Sequence, residues 1–129
     1  MKRINTLLTI IFISLLSSTS LSETLGDLVF RDGLYFKKFT DVPLTGEVTG
    51  NPQGSFKSGQ REGDWLHYYE NGQLEYQGNY KNGYQEGSWM SYYENGQLYY
   101  IGNFKKGWLE GTWVWYYDNG QVNNKGNYK

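Results

Sequence analysis

Residues 68–74 read YYENGQL, and this heptapeptide returns 24 residues later and then once more as YYDNGQV. It lies within a longer repeat, whose three copies are GDWLHYYENGQLEYQGNYKNGYQE (63–86), GSWMSYYENGQLYYIGNFKKGWLE (87–110) and the shorter GTWVWYYDNGQVNNKGNYK (111–129). Upstream, GSFKSGQRE resembles the tail of a copy, so we place the repeat region, with a period of 24, at residues 54–129. A fixed period of this kind predicts units that stack on one another to form a stable sheet.

The centre of the heptapeptide predicts a β-hairpin. Asn-Gly between apolar residues favours a type I′ turn, in which both central residues have φ > 0. We expect Asn71 and Gly72 to occupy those two positions. The strand pairs that follow are Trp65/Gly78, His67/Tyr76, Tyr68/Glu75 and Tyr69/Leu74.

The two faces of the predicted sheet differ in composition. One face places a Trp opposite a Gly in every copy: Trp65/Gly78, Trp89/Gly102 and Trp113/Gly126. A large cross-strand ring can cover the gap that a Gly leaves in a sheet. On the other face, equivalent positions hold Gln77, Ile101 and Lys125. We therefore expect the Trp face to be packed and the variable face to be open to solvent or to a partner.

A second turn, KNG at 81–83 in the first copy, leads the chain into the next hairpin. The predicted fold is all-β: an elongated single-layer antiparallel array of successive β-hairpins. Residues 23–53 are predicted to form an N-terminal hairpin cap and a degenerate repeat. In that cap, the Asp-Gly of LVFRDGLYF predicts a hairpin that pairs Phe30 with Tyr35.

The N-terminus has the features of a secretory signal peptide. Lys2 and Arg3 precede the apolar run LLTIIFISLL, and the small-residue stretch SSTSLS follows it. The run has about half of the ~20 residues that span a bilayer. We predict a signal peptide over residues 1–22 and export to the periplasm or the medium. The alternative is an uncleaved N-terminal anchor.

Composition argues against several functional classes. Without the leader the chain has 10 basic and 13 acidic residues, so it lacks the positive field that nucleic-acid binding uses. There is no Cys, and the single His, His67, is replaced by Ser91 and Trp115 in the next two copies. The sequence contains neither of the glycine-rich phosphate-binding motifs, G-x-x-x-x-G-K-[ST] and G-x-G-x-x-G. We therefore expect a packing role for His67, no catalytic residue, no metal and no cofactor.

Acidic residues recur beside the turns: Glu62, Glu70, Glu86, Glu94, Glu110 and Asp118. A spacing of 24 residues does not gather the six to eight oxygen ligands that Ca²⁺ prefers. We interpret these carboxylates as solvated turn residues.

The pattern G-x-W-x-x-Y-Y-E-N-G-Q-L-x-x-x-G-N-Y-K-x-G resembles the MORN-type repeat in its bacterial variant, which is typical of YwqK-like antitoxins. The resemblance covers 54–129 well and 39–53 loosely. It implies an elongated sheet of hairpins and an interaction role, either neutralising a partner toxin protein or contacting membrane lipid. With its predicted export signal, this chain differs from a cytosolic antitoxin. The signal favours a partner in the periplasm or at the cell surface.

Tyrosines are the best candidates for partner binding. Tyr68, Tyr92 and Tyr116 recur on the variable face, and Tyr99 is expected opposite Tyr92. Tyr-rich exposed surfaces suit both protein interfaces and stacking on sugars. The alternative is that sheet curvature or the N-terminal segment covers this face.

We expect a non-enzymatic exported module that binds another protein; the alternative is a surface that binds membrane lipid or envelope glycan.

Overall fold

The computed structural model describes residues 22–129, so the predicted signal peptide lies outside the described residues except for Ser22. A 3₁₀ turn, Leu25–Asp27, precedes ten strands: β1 (Leu28–Arg31), β2 (Leu34–Lys37), β3 (Gly46–Val48), β4 (Gln53–Lys57), β5 (Gln60–Tyr68), β6 (Leu74–Lys81), β7 (Tyr84–Tyr92), β8 (Leu98–Lys105), β9 (Trp108–Tyr116) and β10 (Val122–Tyr128). β1 and β2 form a two-stranded sheet, and β3 to β10 form an eight-stranded sheet in sequence order. All strand pairs are antiparallel, which confirms the predicted all-β array of hairpins. Across residues 22–129, no helix has the length and apolar character that crossing a bilayer requires.

The predicted strand register is correct along most of each hairpin. Trp65 pairs with Gly78 and His67 with Tyr76, and the second repeat pairs its strands in the same way. A one-residue shift then follows, so that Tyr68 pairs with Leu74. The predicted pairs Tyr68/Glu75 and Tyr69/Leu74 are therefore wrong. The β-bulge at this point leaves an extra residue on the return strand.

The Asn-Gly turn is not of type I′, contrary to the prediction. Gly72 has a φ of 84°, whereas Asn71 is not among the residues with positive φ. The N–H of Gly72 donates to the carbonyl of Tyr69 (2.9 Å), and the N–H of Tyr69 donates to the carbonyl of Gln73 (2.8 Å). This is the three-residue loop in which a type I turn precedes a left-handed Gly. Asn71 stabilises it through its side chain, because its Oδ1 accepts from the N–H of Gln73 (2.9 Å).

Type I′ turns lie at the other end of each repeat. Both central residues have positive φ at Asn82 (51°) and Gly83 (82°), and the same geometry recurs at 32–33, 58–59 and 106–107. The turn at 32–33 closes the N-terminal hairpin, in which Phe30 pairs with Tyr35 as expected. The repeats therefore alternate two turn types, which lie along opposite edges of the sheet.

The core of the sheet is a line of tryptophan rings, which confirms the prediction that the Trp face is packed. Trp65, Trp89 and Trp113 are each 1–2% exposed. Each ring lies over a glycine of the preceding strand; a Cβ added to Gly78 would lie 2.1 Å from the ring of Trp89. The predicted ring-over-glycine packing is therefore present, but it joins successive hairpins rather than the two strands of one hairpin. The ring also donates from its Nε1 to the carbonyl of Asn79 (3.2 Å).

The N-terminal hairpin lies against the first strands of the eight-stranded sheet. Its contact with the sheet includes a cluster of buried and partly buried side chains: Leu25, Leu28, Tyr35, Leu44, Val48, Phe56, Trp65 and Tyr80. Backbone hydrogen bonds hold the same junction, from Tyr35 N to Gly59 O (2.8 Å) and from Gly59 N to Leu44 O (2.7 Å). The beginning of the tryptophan line is therefore covered by a separate hairpin.

Candidate functional site

The three YY-x-NGQ turns are joined to one another by a ladder of side-chain hydrogen bonds. The second Tyr of one turn donates to the carbonyl of the first Tyr of the next, from Tyr69 to Tyr92 and from Tyr93 to Tyr116 (2.8 Å each). The Asn Nδ2 donates to the carbonyl of the next acidic turn residue, from Asn71 to Glu94 (3.2 Å) and from Asn95 to Asp118 (2.9 Å). The heptapeptide is therefore a structural element that connects neighbouring repeats.

Replacing Asn95 with Ala is expected to destabilise the fold more than the same change at Asn119. Both side chains accept the turn N–H two residues on (Gln97 at 2.9 Å, Gln121 at 3.0 Å), but only Asn95 also donates to a neighbouring turn. Asn119 Nδ2 reaches only Gln121 of its own turn. One net hydrogen bond contributes about 0.5–1.5 kcal/mol. Urea unfolding should show a difference of about that size between the variants; equal losses would contradict the ladder's contribution.

The four tyrosines predicted as partner-binding residues do not form one surface. Tyr68, Tyr92 and Tyr116 occupy equivalent positions on β5, β7 and β9, and each is only partly exposed. Tyr92 pairs with Leu98, so Tyr99 does not lie opposite it, and that prediction is wrong. Tyr99 is 39% exposed and its ring packs 4.9 Å from that of Tyr93. That these four residues contact a partner stays a prediction.

His67 belongs to a packed row on the Trp face. Its Nδ1 pairs with the carboxylate of Glu75, and its ring stacks on Tyr76 with centroids 5.0 Å apart. Ser91 is buried on the far side of Tyr76 and donates to the carbonyl of Glu75 (2.9 Å). The row thus places an aromatic ring between the imidazole and the hydroxyl. Within residues 22–129, no group of three or more His, Asp or Glu side chains is arranged to hold a metal.

Four tyrosines of the sheet have a raised pKa because their hydroxyl groups are partly removed from water. Desolvation is the main cause that raises the pKa of each affected phenol above the ordinary value of 10.0: Tyr69, Tyr76, Tyr93 and Tyr100. A raised pKa keeps the phenol neutral and protonated, the form that can donate a hydrogen bond. For Tyr69 and Tyr93, this is the form that the ladder requires.

Two largely exposed aromatic side chains lie elsewhere, beside the type I′ turns. Tyr84 is 60% exposed and Trp108 is 79% exposed, and each directly follows the glycine of such a turn. Together with Lys81 and Lys106 they line a cavity of about 490 Å³, to which Asn82 and Glu86 also contribute. We call the surface formed by Lys81, Tyr84, Lys106 and Trp108 the aromatic edge.

The aromatic edge was missed in the sequence, although a signal for it exists. The position after the type I′ glycine holds Gln60, Tyr84 and Trp108 in successive units. A position that accepts both Gln and Trp is not constrained by core packing. A Trp at the first residue of a strand, next to a polar turn, is therefore a candidate for an exposed contact residue.

Comparison with known proteins follows the same units. Three segments match a family model described as MORN repeat variant, at residues 61–82, 85–106 and 109–129, which together make up about half of the chain. Each segment contains one YY-x-NGQ turn and its two flanking strands, apart from the first residue of the first strand. No curated protein and no solved structure matches the chain.

Proposed function

Since this chain belongs to the MORN repeat variant family, whose repeats are generally protein- or lipid-binding modules, we propose that it is an exported, non-enzymatic module that binds another protein. Its role in this proposal is that of an antitoxin or immunity-like factor, with a toxin protein of the envelope or medium as its partner. The signal-peptide pattern of residues 1–22 supports export.

The observation that carries the proposal is the aromatic edge. Trp and Tyr are enriched among the few residues that supply most of the binding energy in protein interfaces. Here Trp108 and Tyr84 are largely exposed at neighbouring units of a hydrogen-bonded sheet. Because the turns that carry them are held by the sheet, little backbone freedom is lost on binding. This arrangement is that of a preorganised protein-binding surface.

Affinity capture from an envelope extract tests this function. We expect the wild-type chain to retain a protein that the double variant Tyr84→Gln/Trp108→Gln binds at least about 30-fold more weakly, since loss of a hot-spot residue costs about 2 kcal/mol or more. Gln is chosen because Gln60 occupies the equivalent position.

The matched control is Tyr117→Gln, which removes a 49% exposed tyrosine at the opposite edge of the sheet. Retention equal to the wild type is expected for this control. Retention that is lost equally in both variants, or that is unchanged in the double variant, contradicts the aromatic edge as the interface. Mass spectrometry of the retained protein, followed by co-expression growth assays, decides whether it is a toxin that this chain neutralises.

A second candidate function is binding to envelope glycan or lipid headgroups. The same edge favours it, because an exposed Trp can stack on a sugar ring and Lys81 and Lys106 lie beside it. The net acidic charge of the chain opposes attraction to anionic lipid. Sedimentation with peptidoglycan and with anionic vesicles tests this candidate, and absence of Trp108-dependent co-sedimentation would exclude it.

A further inference from the structure

A second cavity lies where the N-terminal hairpin meets the first matched repeat. Its volume is about 380 Å³, and its walls include the side chains of Phe30, Tyr35, Arg61, Tyr80 and Tyr84. Phe30 is 62% exposed at its rim. The cavity is therefore lined by exposed aromatic rings, by partly buried aromatic rings and by one guanidinium group.

The guanidinium of Arg61 is surrounded by aromatic rings and has no carboxylate partner among residues 22–129. It lies 4.5 Å from the ring centroid of Trp65, 5.3 Å from that of Tyr80 and 5.8 Å from that of Tyr35. Its Nη1 donates to the Tyr80 hydroxyl (3.1 Å), while its Nε is buried without a hydrogen-bond partner. Within residues 22–129, no carboxylate oxygen lies within 4.0 Å of it.

The scaffold itself does not require this cation. The equivalent positions in the next two units are Gln85 and Leu109, yet Trp89 and Trp113 are as deeply buried as Trp65. A partly buried charge without a counter-ion costs free energy. An arginine that only this unit carries, beside a cavity, is better explained by a ligand than by packing.

We propose that this cavity binds a carboxylate carried on an apolar group. A guanidinium presents N–H donors in a planar fork that matches a carboxylate. Among the described residues, Arg61 is the only cation that lines the cavity, so the charge of one carboxylate is balanced. The exposed rings of Phe30 and Tyr84 provide the apolar contact.

A phosphate group fits this cavity less well. A phosphate carries about −1.5 to −2 charges at neutral pH and is commonly held by several free backbone N–H groups. Of the three glycines in the wall, Gly33, Gly59 and Gly83, two have their N–H groups engaged: Gly59 donates to Leu44 O (2.7 Å) and Gly83 to Arg61 O (3.0 Å). The chemistry of the cavity therefore selects a carboxylate.

The source of the carboxylate follows from the proposed function, on which this assignment rests: an acidic side chain or a chain terminus of the bound protein. Tyr84 belongs both to the aromatic edge and to this cavity. A partner that covers Trp108 and Tyr84 can therefore place an acidic group beside Arg61. The prediction for the partner is an apolar patch next to a carboxylate.

Titration of the full chain with benzoate, followed by NMR, tests the site without the partner. We expect millimolar benzoate to shift the Arg61 Nε–Hε resonance and the Tyr84 amide. Benzamide, which has the same ring and no charge, should bind at least 10-fold more weakly. Arg61→Gln, which installs the residue found at position 85, should weaken benzoate binding by at least 10-fold, and Arg61→Lys should weaken it by a smaller factor.

Thermal unfolding of Arg61→Gln checks that this variant keeps the fold, and Lys125→Gln, an exposed residue of β10 outside the cavity and outside the aromatic edge, should leave benzoate binding unchanged. Equal binding of benzamide, retained binding in Arg61→Gln, or binding of phenyl phosphate without benzoate would each overturn the proposal. Failure of the site and failure of the function are distinguishable. Benzoate binding without protein capture refutes only the function, and capture through the aromatic edge without benzoate binding refutes only the carboxylate site.

Discussion

Trp89→Ala is expected to lower the free energy of unfolding by about 3–5 kcal/mol, the range for removing a buried aromatic side chain. The Trp89 ring is 2% exposed and packs edge-on against Tyr80 and Phe104, with centroids 5.2 and 5.8 Å apart. It also covers Gly78 and donates to the carbonyl of Asn79. Its loss opens a cavity between two hairpins and leaves a backbone carbonyl without this donor. Urea unfolding monitored by circular dichroism measures the change.

The matched control is Trp108→Ala. It removes the same side chain from the same sheet, but at a position that is 79% exposed. Its effect on the free energy of unfolding should stay within about 0.5 kcal/mol, as for most surface substitutions. Equal losses in the two variants would show that the tryptophan line is not the source of stability.

Gly102→Ala is expected to destabilise the protein by about 1–3 kcal/mol, the usual cost of overpacking. In an ordinary strand the same change stabilises by roughly 0.5–1 kcal/mol, because Gly loses more conformational freedom on folding. At Gly102, however, the new Cβ would lie 2.1 Å from Cδ2 of Trp113. The rigid ring must move away from the strand that it covers, so the sign of the effect is reversed. Thermal or urea unfolding measures it.

Gly126→Ala provides the control, since Gly126 is the equivalent glycine of the third repeat and, within residues 22–129, no Trp ring lies over it. The nearest atom to a new Cβ is in the ring of Tyr128, at 3.1 Å. Because the Tyr128 side chain is 37% exposed and can move away, we expect a change of no more than about 0.5 kcal/mol. In addition, Gly102→Ala should be less costly in a Trp113→Ala background. A loss at position 126 as large as that at 102, or additive effects, would contradict the ring contact.

The sequence was sufficient for the order of the hairpins and most of their register. The 24-residue period and the alternation of side chains specify which residues share a face, and Trp65 pairs with Gly78 as expected. The type of the Asn-Gly turn was not predictable from the local sequence. Asn71-Gly72 fits a type I′ turn locally, but the observed turn is stabilised by contacts of the Asn71 side chain, one of them with Glu94 in the next repeat.

The candidate site was harder to predict than the fold, for a geometric reason. A single bulge residue between paired strands shifts the following side chains to the other face. For this reason Tyr99 contacts Tyr93 instead of lying opposite Tyr92. Tyr84 and Trp108 are exposed because, within residues 22–129, no second layer covers the type I′ turns that carry them, and no local sequence pattern expresses this. Export and the four-tyrosine surface remain predictions.

The bonds between the YY-x-NGQ turns have a consequence for how such a chain can change in length. Every ladder bond and every ring-over-glycine contact joins a hairpin only to its immediate neighbour. An in-register duplication of 24 codons would therefore insert one hairpin without altering the others, and would extend the sheet by two strand spacings, about 9.6 Å. The strand spacing of the sheet sets the distance between the aromatic-edge residues of neighbouring repeats. The number of repeats that the gene encodes sets how many such residues there are. A change in the number of repeats would therefore change the length of the surface. A change in one codon, as at Gln60, Tyr84 and Trp108, changes the side chain that one repeat presents on it.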